Sequence, residues 1–323
     1  MEKVLKFIRE HIRLLATISV LLVLASFFLP LLEIETDTNE YTVNILNYFE
    51  GNKMDFVMFI ILGLLLVGIA FVWIGKLNAN LTPIGSMSFI IAIPLVILLR
   101  EFYTSNGGDY DVSIKVGIPV CLVFLILSAV LAMSISYQKD MMSPRDIAEE
   151  AILIALAFIL NFLKIGIGST GGSINFQMLP LFILALRHGP THGLISGGVI
   201  YGLLTCLTDG YGFACYPFDY LIGFGSIMAI GLFRDFIIKP EDNTYTLRGE
   251  LFLALACVLA TFIRFVGSTM SSMIIWDVDF AGALSYNVLY VLPSGAIAMI
   301  VVMALLGPIV KINKMFPVKK EQI

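Results

Sequence analysis

Leu251-Phe252-Leu253-Ala254-Leu255-Ala256-Cys257-Val258-Leu259-Ala260-Thr261-Phe262-Ile263-Arg264-Phe265-Val266 is an apolar run interrupted by one arginine. With its flanks it predicts a membrane-spanning helix at 250–273, since a bilayer core takes roughly 20 apolar residues. A charge inside such a helix costs roughly 2.5–3.5 kcal/mol on insertion scales, so Arg264 needs a partner or a water-filled space. The run settles the fold class, and its one charge marks where to look for chemistry.

The rest of the chain repeats the pattern. Apolar runs fall at 12–32, 55–75, 82–100, 115–136, 147–163, 177–188, 193–208, 218–237 and 286–310, which with 250–273 makes about ten predicted spans. The sixth and seventh are short or broken by Pro180, Gly189, Pro190 and Gly193. Hydrophobic residues make up 59% of the 323 and charged residues 14%, far below the quarter usual for a soluble domain. Mean hydropathy is +0.93. An all-α integral membrane protein follows.

Orientation comes from the basic residues. With the N-terminus inside, Lys3, Lys6, Arg9, Arg13, Lys76, Lys139, Arg145, Arg187, Arg234, Lys239, Arg248, Lys311, Lys314, Lys319 and Lys320 are cytoplasmic. Lys53, Arg100, Lys115, Lys164 and Arg264 remain outside. That bias predicts both termini in the cytoplasm. The first run is too long for a signal-peptide core and lacks a small-x-small cleavage site, so it reads as a permanent span.

Ser136-Tyr137-Gln138-Lys139-Asp140-Met141-Met142-Ser143-Pro144-Arg145-Asp146 divides the chain, and Ser143-Pro144 has the form of a helix start. Residues 1–142 are expected to form a four-helix transmembrane block with acidic outer loops (Glu33, Glu35, Asp37, Glu40, Glu50, Asp109, Asp111). Residues 143–323 are expected to form a six-helix domain with polar and aromatic outer loops. The two blocks are not copies of each other.

A net charge of −4 leaves no footprint for nucleic acid. Cys121, Cys206, Cys215 and Cys257 lack metal-ligand spacing, and free thiols are expected although Cys206 and Cys215 share an outer region. His11, His188 and His192 all fall at predicted cytoplasmic ends. Gly166-x-Gly168-Ser-Thr-Gly171-Gly172-Ser lacks the Gly-Lys-Ser/Thr of a phosphate loop and reads as a flexible outer loop. Nothing pairs a nucleophile with a base, so no enzyme is expected, and no metal or cofactor.

Polar residues beside aromatic rings at the outer ends of the last three spans suggest a small-molecule pocket open to the outside. Asp219 in Tyr216-Pro217-Phe218-Asp219-Tyr220-Leu221 can accept from an amino-substituted heterocycle or pair with a cation. It is equally suited as a helix N-terminal acid. Trp276 offers a face for a cation, or a membrane-interface anchor. Asn287, in Tyr286-Asn287-Val288, can bind a ligand or fasten two helices. Arg264 is expected to be tied to a loop carbonyl or carboxylate and to shape the pocket.

In these residues the chain resembles the thiamine-specific substrate-binding (S) component of energy-coupling factor transporters, over about residues 147–311. Ala151-x-x-x-Ala155 resembles the alanine motif that docks on the transmembrane coupling subunit. Leu179-Pro180-Leu181 through Arg187-His188-Gly189, followed by Gly193-Leu194-x-x-Gly197 and Tyr201-Gly202-Leu203-Leu204, resembles the second and third helices. Phe218-Asp219-Tyr220 matches an acidic-Tyr pair that binds the aminopyrimidine. Arg264-Phe265, Trp276, Tyr286-Asn287 and Leu292-Pro293 resemble the last two helices. Ser268 stands where the family usually has histidine, and Phe176 is the nearest substitute for an aromatic lid residue absent from 164–175.

The resemblance implies a six-helix S-component bundle that captures thiamine from outside, with a coupling subunit and two cytoplasmic ATPases as partners. It implies ligand contacts from Asp219, Tyr220, Trp276, Tyr286 and Asn287, walls from Ser268 and Phe176, and docking by Ala151 and Ala155. The alternatives are an S component for a thiamine precursor or another cationic heterocycle, and a membrane sensor or structural protein whose polar residues only tie helices.

Overall fold

The computed structural model describes residues 2–35, 40–48, 55–105, 111–138, 143–166 and 172–318. The expectations placed on Asp37, Glu50, Asp109, residues 139–142 and residues 167–171 fall outside these. Two compact units divide the chain, Met1–Ser136 and Tyr137–Ile323.

Seven helices among the described residues are long and apolar enough to cross a membrane: Val57–Ile74, Ala79–Ile97, Gly117–Tyr137, Pro190–Asp209, Phe213–Leu232, Leu247–Ile275 and Phe280–Ala304. This is a multi-pass, mostly helical membrane protein. The count of ten expected from the sequence is not reproduced. The three remaining runs are helical but short or charged: the helix from Glu2 carries Arg9, Glu10 and Arg13, that from Pro144 carries Arg145, Asp146, Glu149 and Glu150, and that from Met178 has only 11 residues.

The first unit has helices α1 (Glu2–Ser26), α2 (Asp55–Ile74), α3 (Thr82–Ser105) and α4 (Gly117–Gln138). Its connections form a three-stranded antiparallel sheet of β1 (Leu32–Glu35), β2 (Glu40–Val43) and β3 (Asp111–Ile114), in the order β2-β1-β3. As sequence, these segments read only as acidic loops. Leu-Glu-Ile-Glu in β1 alternates with period two, so one side can be buried while the other carries charge. Leu32 pairs with Val43 and Ile114, and all but Ile114 are buried. Glu33 forms an ion pair with Lys115. The Trp73 indole donates to Thr17 Oγ1 at 3.0 Å.

The second unit starts at α5 (Pro144–Phe162), where the Ser143 hydroxyl caps the Asp146 amide and proline occupies the first turn. A hairpin of β4 (Lys164–Gly166) and β5 (Ser173–Asn175) leads to α6 (Met178–His188). Next come α7 (Pro190–Asp209), α8 (Phe213–Leu232), α9 (Leu247–Ile275), α10 (Phe280–Ala304) and α11 (Leu306–Met315). Parts of α7 (Gly193–Tyr201) and α8 (Tyr216–Ile222) are wound wide, with i→i+5 hydrogen bonding. Such turns are rare and cluster at functional sites.

Glycine makes the α7–α8 contact possible. A Cβ on Gly198 would lie 2.8 Å from the Leu221 carbonyl oxygen and 3.0 Å from Gly225 Cα. The two backbones therefore touch, as small residues permit between membrane helices. Gly198→Leu is expected to force them apart at a cost of about 1–3 kcal/mol. Thermal denaturation in detergent reads this as a lower midpoint, and an unchanged midpoint would show that the close contact contributes nothing.

At the opposite end from the hairpin, Arg187 of α6 is 2% exposed. Its guanidinium makes a bidentate pair with Glu149 of α5, Nη2 to Oε2 at 2.6 Å, and a further hydrogen bond to Asn313 Oδ1 of α11. Beside it Glu150 accepts from Ser196 Oγ at 2.7 Å and lies 3.1 Å from His192 Nδ1. These pairs clamp α5, α6, α7 and α11 together.

Candidate functional site

Polar side chains gather at the hairpin end of the second unit, where α7 ends and α8 begins, on the last turns of α9 and the first turns of α10. Asp219 sits in the wide turn of α8, half-buried. The Ser268 and Ser271 side chains of α9 approach its carboxylate, and Arg264 is the nearby cation. A Cβ on Gly267 would stand 2.7 Å from the Phe218 carbonyl oxygen. Gly267-Ser268-x-x-Ser271-Ser272 thus gives α9 a small, polar strip against which the wide turn seats. Gly267→Val is expected to push Asp219 off this strip and weaken ligand binding about tenfold, since small misplacements of a binding group cost that order. Titration of the folded variant checks it, with wild-type affinity as the contrary result.

Arg264 is buried at 7% exposure and lies 4.6 Å above the Phe224 ring centroid. Its Nε and Nη1 have no hydrogen-bond partner among the described residues. The tie to a loop carbonyl or carboxylate that the sequence suggested is replaced at these atoms by a cation–π contact, because Phe224 lies one α8 turn deeper than Tyr220. Asp219, Asp209, Tyr201 and Tyr290 are the ionisable groups near this guanidinium.

Asn287 is fully buried, and its amide nitrogen faces Ala283 O at 2.8 Å, Ser272 Oγ at 2.9 Å and Ser268 O at 3.4 Å. Its oxygen accepts the Tyr290 hydroxyl at 2.6 Å. These bonds fasten α10 to α9 and orient the Tyr290 hydroxyl. Tyr286 lies 5.2 Å from Tyr290 between ring centroids. Gly172, just before β5, lies against both: a Cβ there would come within 2.9 Å of Tyr290 and 3.1 Å of Tyr286.

The Tyr220 ring is buried, and its hydroxyl donates to Asp209 Oδ2 at 3.3 Å rather than to its neighbour Asp219. Trp276 ends α9, half exposed, with its ring edge-on to Tyr211 at 6.1 Å. Phe213 stacks on Tyr216 at 5.2 Å, completing an aromatic rim. Phe176 is exposed at the turn into α6, the least engaged of the expected wall residues. Ser268 is buried beside Asp219, as a wall requires.

Away from this cluster, Ala151 and Ala155 are exposed on α5, amid exposed Ile152, Leu156 and Ile159. All four cysteines are free and buried, so Cys206 and Cys215 are not paired; their thiols donate to the Gly212 and Tyr211 carbonyls at 3.8 and 3.7 Å. No metal-binding group of side chains exists among the described residues. An apolar cleft of about 180 Å³ between α9 and α10, lined by Cys257, Thr261, Phe262, Leu292 and Gly295, contains none of the charged groups.

Sequence reading passed over Asp209, Ser271 and Ser272, and gave no separate role to Gly172 or Tyr290 within the stretches that contain them. The serines show themselves as a polar strip in an apolar helix, and Tyr290 as the residue one turn after Tyr286. Asp209 had a sharper signal, an acid in the last turn of a helix, where the macrodipole disfavours it.

The family model described as "Thiamine transporter protein (Thia_YuaJ)" matches residues 147–314, all within the second unit. The thiamine transporter ThiT of Bacillus subtilis (strain 168) is 28% identical over 172 residues, covering 47% of this chain and 85% of that protein. A solved structure of ThiT from Listeria monocytogenes is 21% identical, covers 50% of this chain and 93% of that one, and superposes with a TM-score of 0.42. Because the family match takes in more than half of the 323 residues, the chain belongs to the thiamine transporter protein family, a family of transporters and not of enzymes.

Proposed function

We propose that the second unit binds thiamine from outside the cell and is the substrate-capturing (S) component of an energy-coupling factor importer. The observation that carries this is Asp219 in the wide turn of α8, seated on the Gly267-Ser268-x-x-Ser271-Ser272 strip of α9 beside an aromatic rim, in a membrane helix bundle of this family. Thiamine is a cation with an exocyclic amine, so it calls for a carboxylate acceptor and an aromatic face. Asp219 accepts from the aminopyrimidine, and Trp276 stacks on the thiazolium. Tyr220 and Tyr286 line the pocket, Asn287 holds Tyr290 in place, Ser268 forms the wall and Phe176 edges the entrance. Arg264 shapes the floor.

Both termini lie in the cytoplasm in this reading, supported by the distribution of basic residues. Ala151 and Ala155 then offer a small-residue patch to a coupling subunit, which two cytoplasmic ATPases drive. The first 142 residues form a separate helical block beside this function.

Thiamine titrated into the detergent-purified protein should quench Trp276 saturably, with 1:1 stoichiometry. Trp73, hydrogen-bonded to Thr17 and beneath Lys76, supplies a constant background. Trp276→Phe should abolish the quench while calorimetry still detects weaker binding. A folded wild type that shows no heat and no quench with thiamine sinks the reading, and the same titration with other cationic heterocycles tests the alternative ligand class.

A further inference from the structure

We propose that Tyr211 is a further ligand-contacting residue of this site, a second aromatic wall set at right angles to Trp276, against which the ligand's flat cationic ring lies. The inference rests on the thiamine reading and adds to it one residue and the loop that presents it.

Gly210-Tyr211-Gly212 joins α7 to α8. Gly210 has φ +78° and ψ 6°, the left-handed turn that ends helices. Gly212 has φ +91° and ψ 156°, a region open essentially only to glycine. A Cβ at either position would meet nothing within 4 Å, so backbone conformation, not crowding, calls for both glycines. The loop is then fastened from each side. The buried thiol of Cys206 donates to Gly212 O at 3.8 Å, and that of Cys215 donates to Tyr211 O at 3.7 Å. The Cys215 amide adds a bond to Gly212 O at 3.3 Å. Thiols are weak donors, but here two of them and an amide act on three residues. The side chain that this backbone carries is a single tyrosine.

The ring is held where chemistry can use it. It lies 6.1 Å from the Trp276 ring and at 90° to it. Both rings stay about half open, at 49% and 53% exposure. Trp276 also approaches the Cys215 thiol, which ties the loop to the end of α9. Tyr211 and Asp219 are both ionisable groups near the Tyr286 hydroxyl, so the loop stands beside the polar cluster already described. Two perpendicular aromatic faces make a corner. A flat cation stacked on the indole turns its electron-poor edge toward the tyrosine, a favourable arrangement for an aromatic quadrupole. A tyrosine that only anchors the chain at a membrane interface needs neither a fastened loop nor a ring partner.

The test uses the full chain in detergent with thiamine as the probe. Calorimetry reads affinity, and stopped-flow quenching of Trp276 reads release. Tyr211→Leu keeps an apolar side chain and removes the aromatic face. It should weaken thiamine about tenfold, chiefly through faster release, and shift the Trp276 emission of the ligand-free protein. Tyr211→Phe should restore all but about twofold of the affinity, because the ring and not the hydroxyl makes the contact. Gly212→Ala keeps the tyrosine and disturbs only its backbone, and should weaken thiamine about fivefold. A folded Tyr211→Leu that binds as the wild type does, or a Tyr211→Phe loss as large as that of Tyr211→Leu, overturns the proposal while leaving thiamine binding intact. Wild-type affinity in Gly212→Ala overturns the part given to the loop. Failure of the wild type to bind thiamine removes the reading and this inference together.

Discussion

Asp219→Asn should lower thiamine affinity about a hundredfold, or about 2.7 kcal/mol. The amide keeps the shape of the side chain and can still accept one hydrogen bond. What it loses is the charge, in a turn where Ser268 and Ser271 approach that carboxylate and Arg264 lies close by. A close pair of opposite charges across a binding interface couples by about 1.5–7 kcal/mol, so the loss falls on the interaction with the bound cation. Asp219 is half-buried, which puts the expected loss toward the low end. Titration by Trp276 quenching or calorimetry reads the affinity, and a thermal midpoint shows that the variant is folded. If the folded variant binds as the wild type does, Asp219 is only the N-terminal acid of a helix, and the pocket must be sought elsewhere.

Arg187→Met should cost about 3 kcal/mol or more of stability, the largest effect expected of any change remote from the ligand. Arg187 is almost wholly enclosed, and its pair with Glu149 and its bond to Asn313 hold α5, α6 and α11 at one end of the second unit. Without the guanidinium, Glu149 loses a bidentate partner and Asn313 Oδ1 an N–H donor. Since the Glu149 side chain remains 26% exposed, water offsets part of the loss. Adding Glu149→Leu to Arg187→Met should recover part of it, because replacing both members of an enclosed ion pair by apolar groups is often neutral. Equilibrium unfolding in mixed detergent reads both changes. Thiamine affinity of the folded fraction should stay within about twofold, as the clamp and the ligand site lie at opposite ends of the helices. A single variant as stable as the wild type would show that the clamp holds nothing together.

Legibility differed from residue to residue in ways that follow from range. The apolar run around Arg264 announced a membrane helix because the bilayer's thickness converts directly into a count of residues. Ser143-Pro144 announced a helix start because capping is decided within one turn. The sheet in the first unit was passed over because a four-residue Leu-Glu-Ile-Glu alternation is weak beside its acidic neighbours and needs partners at Glu40–Val43 and at the distant Asp111–Ile114 to become a strand. The count of spans failed where charge and shortness, in the helices from Glu2, Pro144 and Met178, set a helix apart from an independently insertable one.

At the site, the sequence by itself determined which groups could do chemistry. Asp219, Arg264, Trp276 and Asn287 each stand out because a polar or aromatic side chain at a membrane helix end needs a reason, and desolvation supplies a large penalty for having none. Only the tertiary structure decided how those groups are used. It turned the Tyr220 hydroxyl to Asp209, spent the Asn287 amide on α9, set Arg264 over Phe224, and brought Gly172 against Tyr286 and Tyr290. The physical reason is that burial penalties act on each residue alone and so can be read in order along a chain. Hydrogen bonds and ring contacts need a few ångströms of agreement between helices, and that agreement exists only once the helices have packed.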